Sequence, residues 1–104
     1  MIKVSVMYPA GSGHKFDMNY YTGTHMPLVK KLLTPAGLRN VAAELGLAGG
    51  APGAPPAYLA FGHLYFDSAE AFQKAFEPHA AEILGDLPNF TNIQPVLQIS
   101  EVKL

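Results

Sequence analysis

The chain has 104 residues, a length that predicts a single domain spanning residues 1–104. It contains no cysteine, which excludes disulfides, thiolate nucleophiles and cysteine-ligated metal sites and is compatible with a reducing cytoplasm. Its net charge of −1, with Lys30 and Lys31 as the only adjacent basic pair, argues against a nucleic-acid partner. Because no stretch approaches the ~20 apolar residues of a membrane span and the first residues do not resemble a signal peptide, we expect a cytoplasmic protein with no membrane partner.

The composition is poor in charge for a small protein. Charged residues make up 14% of the chain and apolar residues 49%, whereas about 25% of a typical soluble domain is charged. A small protein has much surface to cover, so this imbalance favours a partner that hides part of it. The alternative is a general enrichment in alanine and glycine that has no bearing on assembly.

The first third of the chain predicts a strand followed by a helix. Residues Ile2 to Tyr8 alternate apolar and other side chains as a half-buried strand does. Asp17 is suited to cap the helix that follows, from Met18 to Leu33. Pro27 lacks an amide hydrogen, so a kink or restart is expected between Gly23 and Pro27. The apolar stripe of this helix is formed by residues three or four apart: Met18, Tyr21, His25, Leu28 and Leu32.

Two strands and a loop are predicted next. Leu38 to Leu47 has a strand pattern, although alanine is a weak strand former. Ala48 to Pro56 is rich in alanine, glycine and proline and is expected to be a loop within the domain. Ala57 to Phe66 is predicted as a third strand that is largely apolar on both faces.

The last third predicts a second helix and a closing strand. Asp67 with Glu70 resembles a capping box at the start of this helix, and Pro78 interrupts it. Asn92 to Lys103 is predicted as the final strand. The predicted buried side of the helix consists of Phe72, Phe76, Ala80 and Ile83.

The resulting order, βαββαβ, is that of ferredoxin-like α+β domains, in which two helices cover one face of a four-stranded antiparallel sheet. A sheet with one solvent-facing side should alternate more cleanly than the third and fourth strands do. Two sheets packed face to face would account for the apolar residues on both sides, so a homodimer is expected.

His25 is the strongest candidate for chemistry. It lies in the apolar stripe with Tyr21 one turn earlier, so its ring is expected to point towards the sheet. A buried imidazole beside a phenol can transfer protons near neutral pH. The alternative is a core histidine that is merely hydrogen-bonded.

The other polar residues give weaker indications. His63 shares an apolar strand face with Phe61, so it faces either a pocket or a dimer interface. Gln98 and Ser100 share a face of the final strand and could line a polar pocket or lie at an exposed or interface face. The histidine spacings do not match a metal-ligand pattern, and no metal site is predicted. Gly11 and Gly13 lack the third glycine of a dinucleotide fingerprint, so no nucleotide cofactor is predicted.

Three segments resemble the EthD family, proteins named after ethyl tert-butyl ether degradation. The segment Phe16-Asp-x-x-Tyr20-Tyr21-x-x-x-His25-x-Pro27 resembles the signature of the family's first helix. Leu64-Tyr65-Phe66-Asp67-Ser68 resembles its strand-to-helix junction. Its closing strand is similar to Asn89-Phe90-Thr91-Asn92-x-x-Pro95-x-x-Gln98-Ile99-Ser100-Glu101.

The resemblance implies a dimeric α/β barrel made of two ferredoxin-like sheets. Related proteins include cofactor-free polyketide cyclases, monooxygenases acting on aromatic rings, isomerases and decarboxylases, so a cofactor-independent reaction is expected. The reductase label given to some members has no support in these residues. Tyr20, Tyr21 and His25 match the motif positions and are the candidate catalytic residues.

The leading hypothesis is an enzyme acting on a hydrophobic, aromatic or enolisable metabolite of a degradation or secondary-metabolism pathway. His25 would be the general acid or base, and Tyr21 or Tyr20 would orient it or hold an oxyanion. Leu28 and Phe61 would form apolar walls of a pocket between the first helix and the sheet. His63 is a further candidate for substrate binding, in this pocket or at the dimer interface. The alternatives are a non-catalytic carrier for a hydrophobic metabolite and an oligomerising domain without a pocket.

Overall fold

Four strands form one antiparallel sheet in the computed structural model, which describes residues 1–104. Across the sheet the order is β2-β3-β1-β4, so the first and third strands of the sequence are central. The predicted ferredoxin-like α+β class is therefore confirmed. The strands span Ile2–Pro9 (β1), Asn40–Leu45 (β2), Tyr58–Phe66 (β3) and Val96–Glu101 (β4).

The helical segments form two arms that pack on the same face of the sheet. The first arm contains α1 (Met18–Tyr20), a π-helical turn (Tyr21–His25), α2 (Met26–Leu33) and a 3-10 turn (Thr34–Ala36). The second contains α3 (Ala69–Phe76), a 3-10 turn (Glu77–His79) and α4 (Ala80–Gly85), and a further 3-10 turn (Leu87–Asn89) follows it. None of these helices has the length and apolar character needed to cross a lipid bilayer.

The predicted irregularity near Pro27 is a π-helical turn. The amide of Met26 donates to the carbonyl of Tyr21, five residues earlier, which inserts one extra residue into the helical repeat. The buried stripe after this turn is consequently shifted by one position. Val29 and Leu33 are buried where the uninterrupted 3–4 pattern placed Leu28 and Leu32, both of which are only half-buried.

The two predicted helix caps have different outcomes. Asp17 caps α1 as predicted, and its Oδ1 accepts a hydrogen bond from the amide of Tyr20 at 3.1 Å. The prediction for the second arm was wrong by one residue, because the hydroxyl of Ser68 accepts from the amide of Ala71 at 3.1 Å. Asp67 instead binds the guanidinium of Arg39 through two hydrogen bonds of 2.6 and 3.1 Å.

The hydrophobic core lies between the helical arms and the inner face of the sheet, which is the face that carries Val4, Tyr8, Leu64 and Phe66. β4 is an exception, because the arms do not cover it. Val96, Leu97 and Ile99 remain 48%, 48% and 42% exposed along this edge strand. The fold therefore leaves an apolar edge uncovered in the single chain.

Candidate functional site

A cleft of about 50 Å³ lies between the helical arms and the inner face of the sheet. Its wall is almost entirely apolar, and the side chains that carry oxygen or nitrogen there are Tyr8, Tyr21 and His25. Leu84 and Leu97, each 48% exposed, border the cleft where it meets the surface. Since one water needs roughly 10–15 Å³, the cleft has room for a few waters and must widen at this mouth to admit a metabolite.

His25 is oriented by a carboxylate from the other arm. Its Nδ1 lies 2.9 Å from Oδ2 of Asp86, the residue that directly follows α4. An ionised carboxylate only accepts hydrogen bonds, so Nδ1 must carry the proton and donate it to Asp86. This leaves Nε2 as the nitrogen with the lone pair.

The free nitrogen of His25 faces accessible space. Nε2 makes no hydrogen bond within the protein, yet no fully buried side-chain nitrogen or oxygen lacks a partner. Nε2 therefore has some accessible surface, although the His25 side chain as a whole is only 5% exposed, and His25 is one of the residues that line the cleft. Such a ring can accept a proton from a guest while its other nitrogen stays fixed.

Asp86 is itself held as an anion by its neighbours. The hydroxyl of Tyr20 donates to its Oδ1 at 2.7 Å, and Nδ2 of Asn89 donates to the same oxygen at 2.9 Å. Burial alone would raise the pKa of Asp86, but the hydrogen bonds from Tyr20, Asn89 and His25 outweigh it and lower the pKa below its usual value. The bond to this anion also raises the pKa of Tyr20.

Tyr21 forms the wall beside the imidazole. Its ring stacks on that of His25 with centroids 5.6 Å apart and planes 16° from parallel. Gly62 of β3 makes room for the phenol, because a side chain at this position would overlap the Tyr21 hydroxyl. Burial raises the pKa of Tyr21 to about 12, and burial likewise raises the pKa of the adjacent Tyr8. Both hydroxyls therefore keep their protons at neutral pH.

Residues 11–94 of the chain match the EthD domain. The chain belongs to the EthD family. An EthD-like protein from Ralstonia eutropha JMP134 is 52% identical and has a TM-score of 0.93, with 99% of this chain and 92% of that chain covered. An EthD family protein from Bacillus halodurans C-125 is 20% identical, with a TM-score of 0.67 and 99% of both chains covered.

A third solved structure shares the fold of this EthD protein at low identity. It is described as a dimeric ferredoxin-like protein of unknown function, from Thermobifida fusca YX. It is 15% identical and has a TM-score of 0.57, with 97% of this chain and 90% of that chain covered. No curated protein shows significant sequence similarity to this EthD chain.

The structure brings together some of the residues that the sequence proposed for the EthD site. Tyr21 and His25 line the cleft, and Tyr20 reaches the site only through Asp86. Leu28 does not line the cleft, because the π-helical turn moves the inward positions to Met26 and Val29.

The two proposed binding residues of β3 lie outside the cleft. Phe61 and His63 project from the outer face of the sheet, away from the helical arms. Strand residues alternate between faces, so Gly62 and Leu64 take the inward positions instead. The sequence placed Phe61 and His63 on one face and left open whether His63 faces a pocket or a dimer interface, whereas Phe61 was expected on the wall of the pocket and does not line the cleft.

Asp86 was not identified from the sequence. It is 61 residues from His25, and no periodic pattern connects positions so far apart. The only local signal was a carboxylate directly after Gly85 and shortly before Pro88. This signal is equally typical of a turn residue without a catalytic role.

Proposed function

We propose that this EthD protein is a cofactor-independent acid–base catalyst for a small hydrophobic metabolite, aromatic or enolisable. The observation that carries the proposal is the imidazole of His25, whose Nδ1 is fixed by Asp86 and whose Nε2 is free at an apolar cleft. A pair of this kind combines a correctly oriented base with a carboxylate that stabilises the imidazolium. The apolar wall supports a hydrophobic guest and excludes water from the base.

The reaction would begin with proton abstraction. Nε2 of His25 removes a proton from a carbon next to a carbonyl group, or from a phenolic hydroxyl, and the electron pair moves onto the carbonyl or ring oxygen. Asp86 stabilises the resulting imidazolium through Nδ1. The Tyr21 hydroxyl, which stays protonated, donates a hydrogen bond to the developing oxyanion. Return of the proton to a different carbon completes an isomerisation.

The test uses 2-tetralone, an enolisable aromatic ketone, in deuterated buffer. The protein should accelerate exchange of the α-protons, measured by proton NMR, and His25→Ala should lower the catalysed rate by about 10²- to 10⁴-fold. Asp86→Asn should also lower it strongly, because an amide that donates to Nδ1 leaves the proton on Nε2 and removes the base from the cleft. His14→Gln is the matched control, since His14 lies in an exposed loop and its Nδ1 bonds to the carbonyl of Pro9. Equal exchange by the wild type and His25→Ala would refute the catalytic assignment.

A second candidate function is a carrier for the same class of metabolite. The cleft favours it because its wall offers far more apolar surface than reactive groups. A carrier would bind 2-tetralone, as seen in ligand-observed NMR, with equal affinity in the wild type and in His25→Ala. It would also leave the exchange rate at that of buffer alone. The exchange and binding measurements therefore separate the two functions in one set of samples.

We also propose that residues 1–104 act as one EthD domain in the cytoplasm and form a homodimer that covers β4. The exposed Val96 and Ile99 support this, because an uncovered apolar edge strand invites association. Light scattering should give twice the 11.1 kDa chain mass, and Val96→Lys should shift the protein towards the monomer.

Leu47→Lys is the control for the dimer experiment. Leu47 is 85% exposed but lies outside the strands, in the segment that connects β2 to β3. This substitution adds the same charge as Val96→Lys but does not alter the edge strand, so the dimer should stay intact. A wild-type particle of 11.1 kDa at micromolar concentration would count against the dimer.

A further inference from the structure

The wall of the cleft carries no fixed charge. Its lining consists of aliphatic and aromatic side chains, Gly62, Pro95, the phenols of Tyr8 and Tyr21, and the imidazole of His25. Both phenols keep their protons at neutral pH because burial raises their pKa. None of the seven lysine and arginine residues lines the wall, so no cation there offsets a negative charge on a guest.

A negative charge lies directly behind the base. Oδ2 of Asp86 is 2.9 Å from Nδ1 of His25, and the hydrogen bonds from Tyr20 and Asn89 to Oδ1 help to keep the carboxylate ionised. The Asp86 side chain is only 13% exposed, so water and salt screen its charge less than they would at the surface. A guest that contacts Nε2 therefore meets an imidazole with an anion on its far side.

The proposed reaction keeps the charges balanced when the guest is neutral. Transfer of a proton to Nε2 leaves an oxyanion on the guest and an imidazolium on His25, which Asp86 stabilises through Nδ1. A guest that enters as a carboxylate brings a further negative charge, and this charge stays unpaired before and after the transfer. Burial of an unpaired ion is unfavourable because the ion loses its hydration.

We propose that the cleft admits uncharged carbonyl compounds and phenols and excludes carboxylates, through its apolar wall and the anionic Asp86 behind His25. The inference rests on the proposed function, since it names the substrate class of the same site. Among the activities of related proteins it favours isomerisation or cyclisation of a neutral ketone. It disfavours decarboxylation, whose substrate enters as a carboxylate.

Loss of hydration and repulsion by Asp86 should each weaken the binding of an anion. A carboxylate that loses its hydration without gaining a partner should bind at least about 100-fold more weakly than a neutral group of similar size. Repulsion by an anion on the far side of an imidazole contributes on the order of tenfold at the intermediate dielectric of a partly buried site. The repulsion can be removed by substitution of Asp86, whereas the loss of hydration is a property of the wall.

The first test compares three molecules with one skeleton: benzylacetone, 2-oxo-4-phenylbutanoate and the ethyl ester of that acid. The acid has a carboxylate in place of the methyl group of benzylacetone, next to the carbonyl, so the charge must enter with the reacting group. In ligand-observed NMR at pH 7, benzylacetone and the ester should bind, and the acid should bind at least about 100-fold more weakly. Equal affinities for the acid and benzylacetone, or binding of neither neutral molecule, would overturn the proposal without any variant being needed.

The second test removes the charge behind the base. In Asp86→Asn the ratio of the Kd of the acid to the Kd of benzylacetone should fall by about tenfold. Asp67→Asn is the matched control, because it removes the same charge from a side chain that is 60% exposed and paired with Arg39 at the surface. Far-UV circular dichroism checks that both variants are folded. A ratio that is unchanged in Asp86→Asn, or lowered equally in both variants, would contradict repulsion by Asp86.

The charge preference and the catalytic function can fail separately. Exchange of the α-protons of benzylacetone in deuterated buffer is measured on the wild type and on His25→Ala. Exchange that depends on His25, together with equal affinities for the acid and benzylacetone, would refute the charge preference alone. Exclusion of the acid, together with equal exchange in the wild type and His25→Ala, would refute the catalytic function and support a cleft that binds neutral guests.

Discussion

Substitution of Gly62 by alanine tests the packing that positions Tyr21. A methyl group at this position overlaps the Tyr21 hydroxyl and lies 3.3 Å from its Cζ. Tyr21 has little freedom to retreat, because it is 2% exposed and is in contact with the rings of Phe16, Phe90 and His25. Overpacking of a closed core costs about 1–3 kcal/mol.

The expected effect is large enough to measure in a protein of this size. At about 4–8 °C per kcal/mol for domains of about 100 residues, a cost of 2 kcal/mol lowers Tm by roughly 8–16 °C. Gly23→Ala is the matched control, because Gly23 is in the π-helical turn and a methyl group there meets nothing within 4 Å. It should be neutral or stabilise by up to about 1 kcal/mol, since alanine favours helices over glycine.

A double-mutant cycle identifies the cause of the loss. Tyr21→Phe removes the hydroxyl that the new methyl group meets, so Gly62→Ala should cost about 1–2 kcal/mol less in that background. Urea unfolding followed by far-UV circular dichroism gives the four free energies of unfolding. If the two substitutions change the free energy of unfolding additively within 0.5 kcal/mol, or if Gly62→Ala is as stable as the wild type, Gly62 is not needed to make room for the Tyr21 hydroxyl.

Three further predictions concern stability. The pKa of Asp86 is lowered in the folded protein, so its contribution to the free energy of unfolding is fully present above its ordinary pKa of 3.8 and is lost as the pH falls through the lower folded-state value. The urea midpoints at pH 7 and pH 3 should therefore differ less in Asp86→Asn than in the wild type. Ser68→Ala should cost about 1 kcal/mol through loss of the cap of α3, and Ser68→Asp should restore it, as measured by Tm. Leu33→Ala should cost about 3–5 kcal/mol in urea unfolding, because Leu33 is fully buried, whereas Leu32→Ala on the half-buried neighbouring position should cost clearly less.

The fold was predictable from the sequence because its signals are local. Alternation identified β1, an apolar run identified β3, and the irregularity near Pro27 was expected before its form was known. A π-helical turn and a kink leave the same trace in a sequence, but only the turn adds a residue to the repeat. The predicted stripe was therefore right up to His25 and displaced by one residue after it, which explains the assignment of Leu28.

The candidate site was predictable only in part, since one of its key residues is distant in sequence from the others. His25 and Tyr21 lie in one arm and could be paired by spacing, whereas Asp86 is brought to them by the packing of the second arm. His63 illustrates the same limit on the other face. Its partners Ser5 and Glu44 lie on the two strands that flank β3, 58 and 19 residues away, so they could not be linked to it before the strand order was known.

The two protonated phenols of the cleft give it a chemical polarity. Near Tyr8 and Tyr21 a guest meets hydroxyl donors that do not ionise at physiological pH, while the only basic atom on the wall belongs to His25. A ketone whose oxygen lies against the phenols and whose acidic carbon lies against the imidazole satisfies both sides, and the reversed pose satisfies neither. Regioisomers of equal hydrophobicity should consequently differ in turnover much more than in affinity.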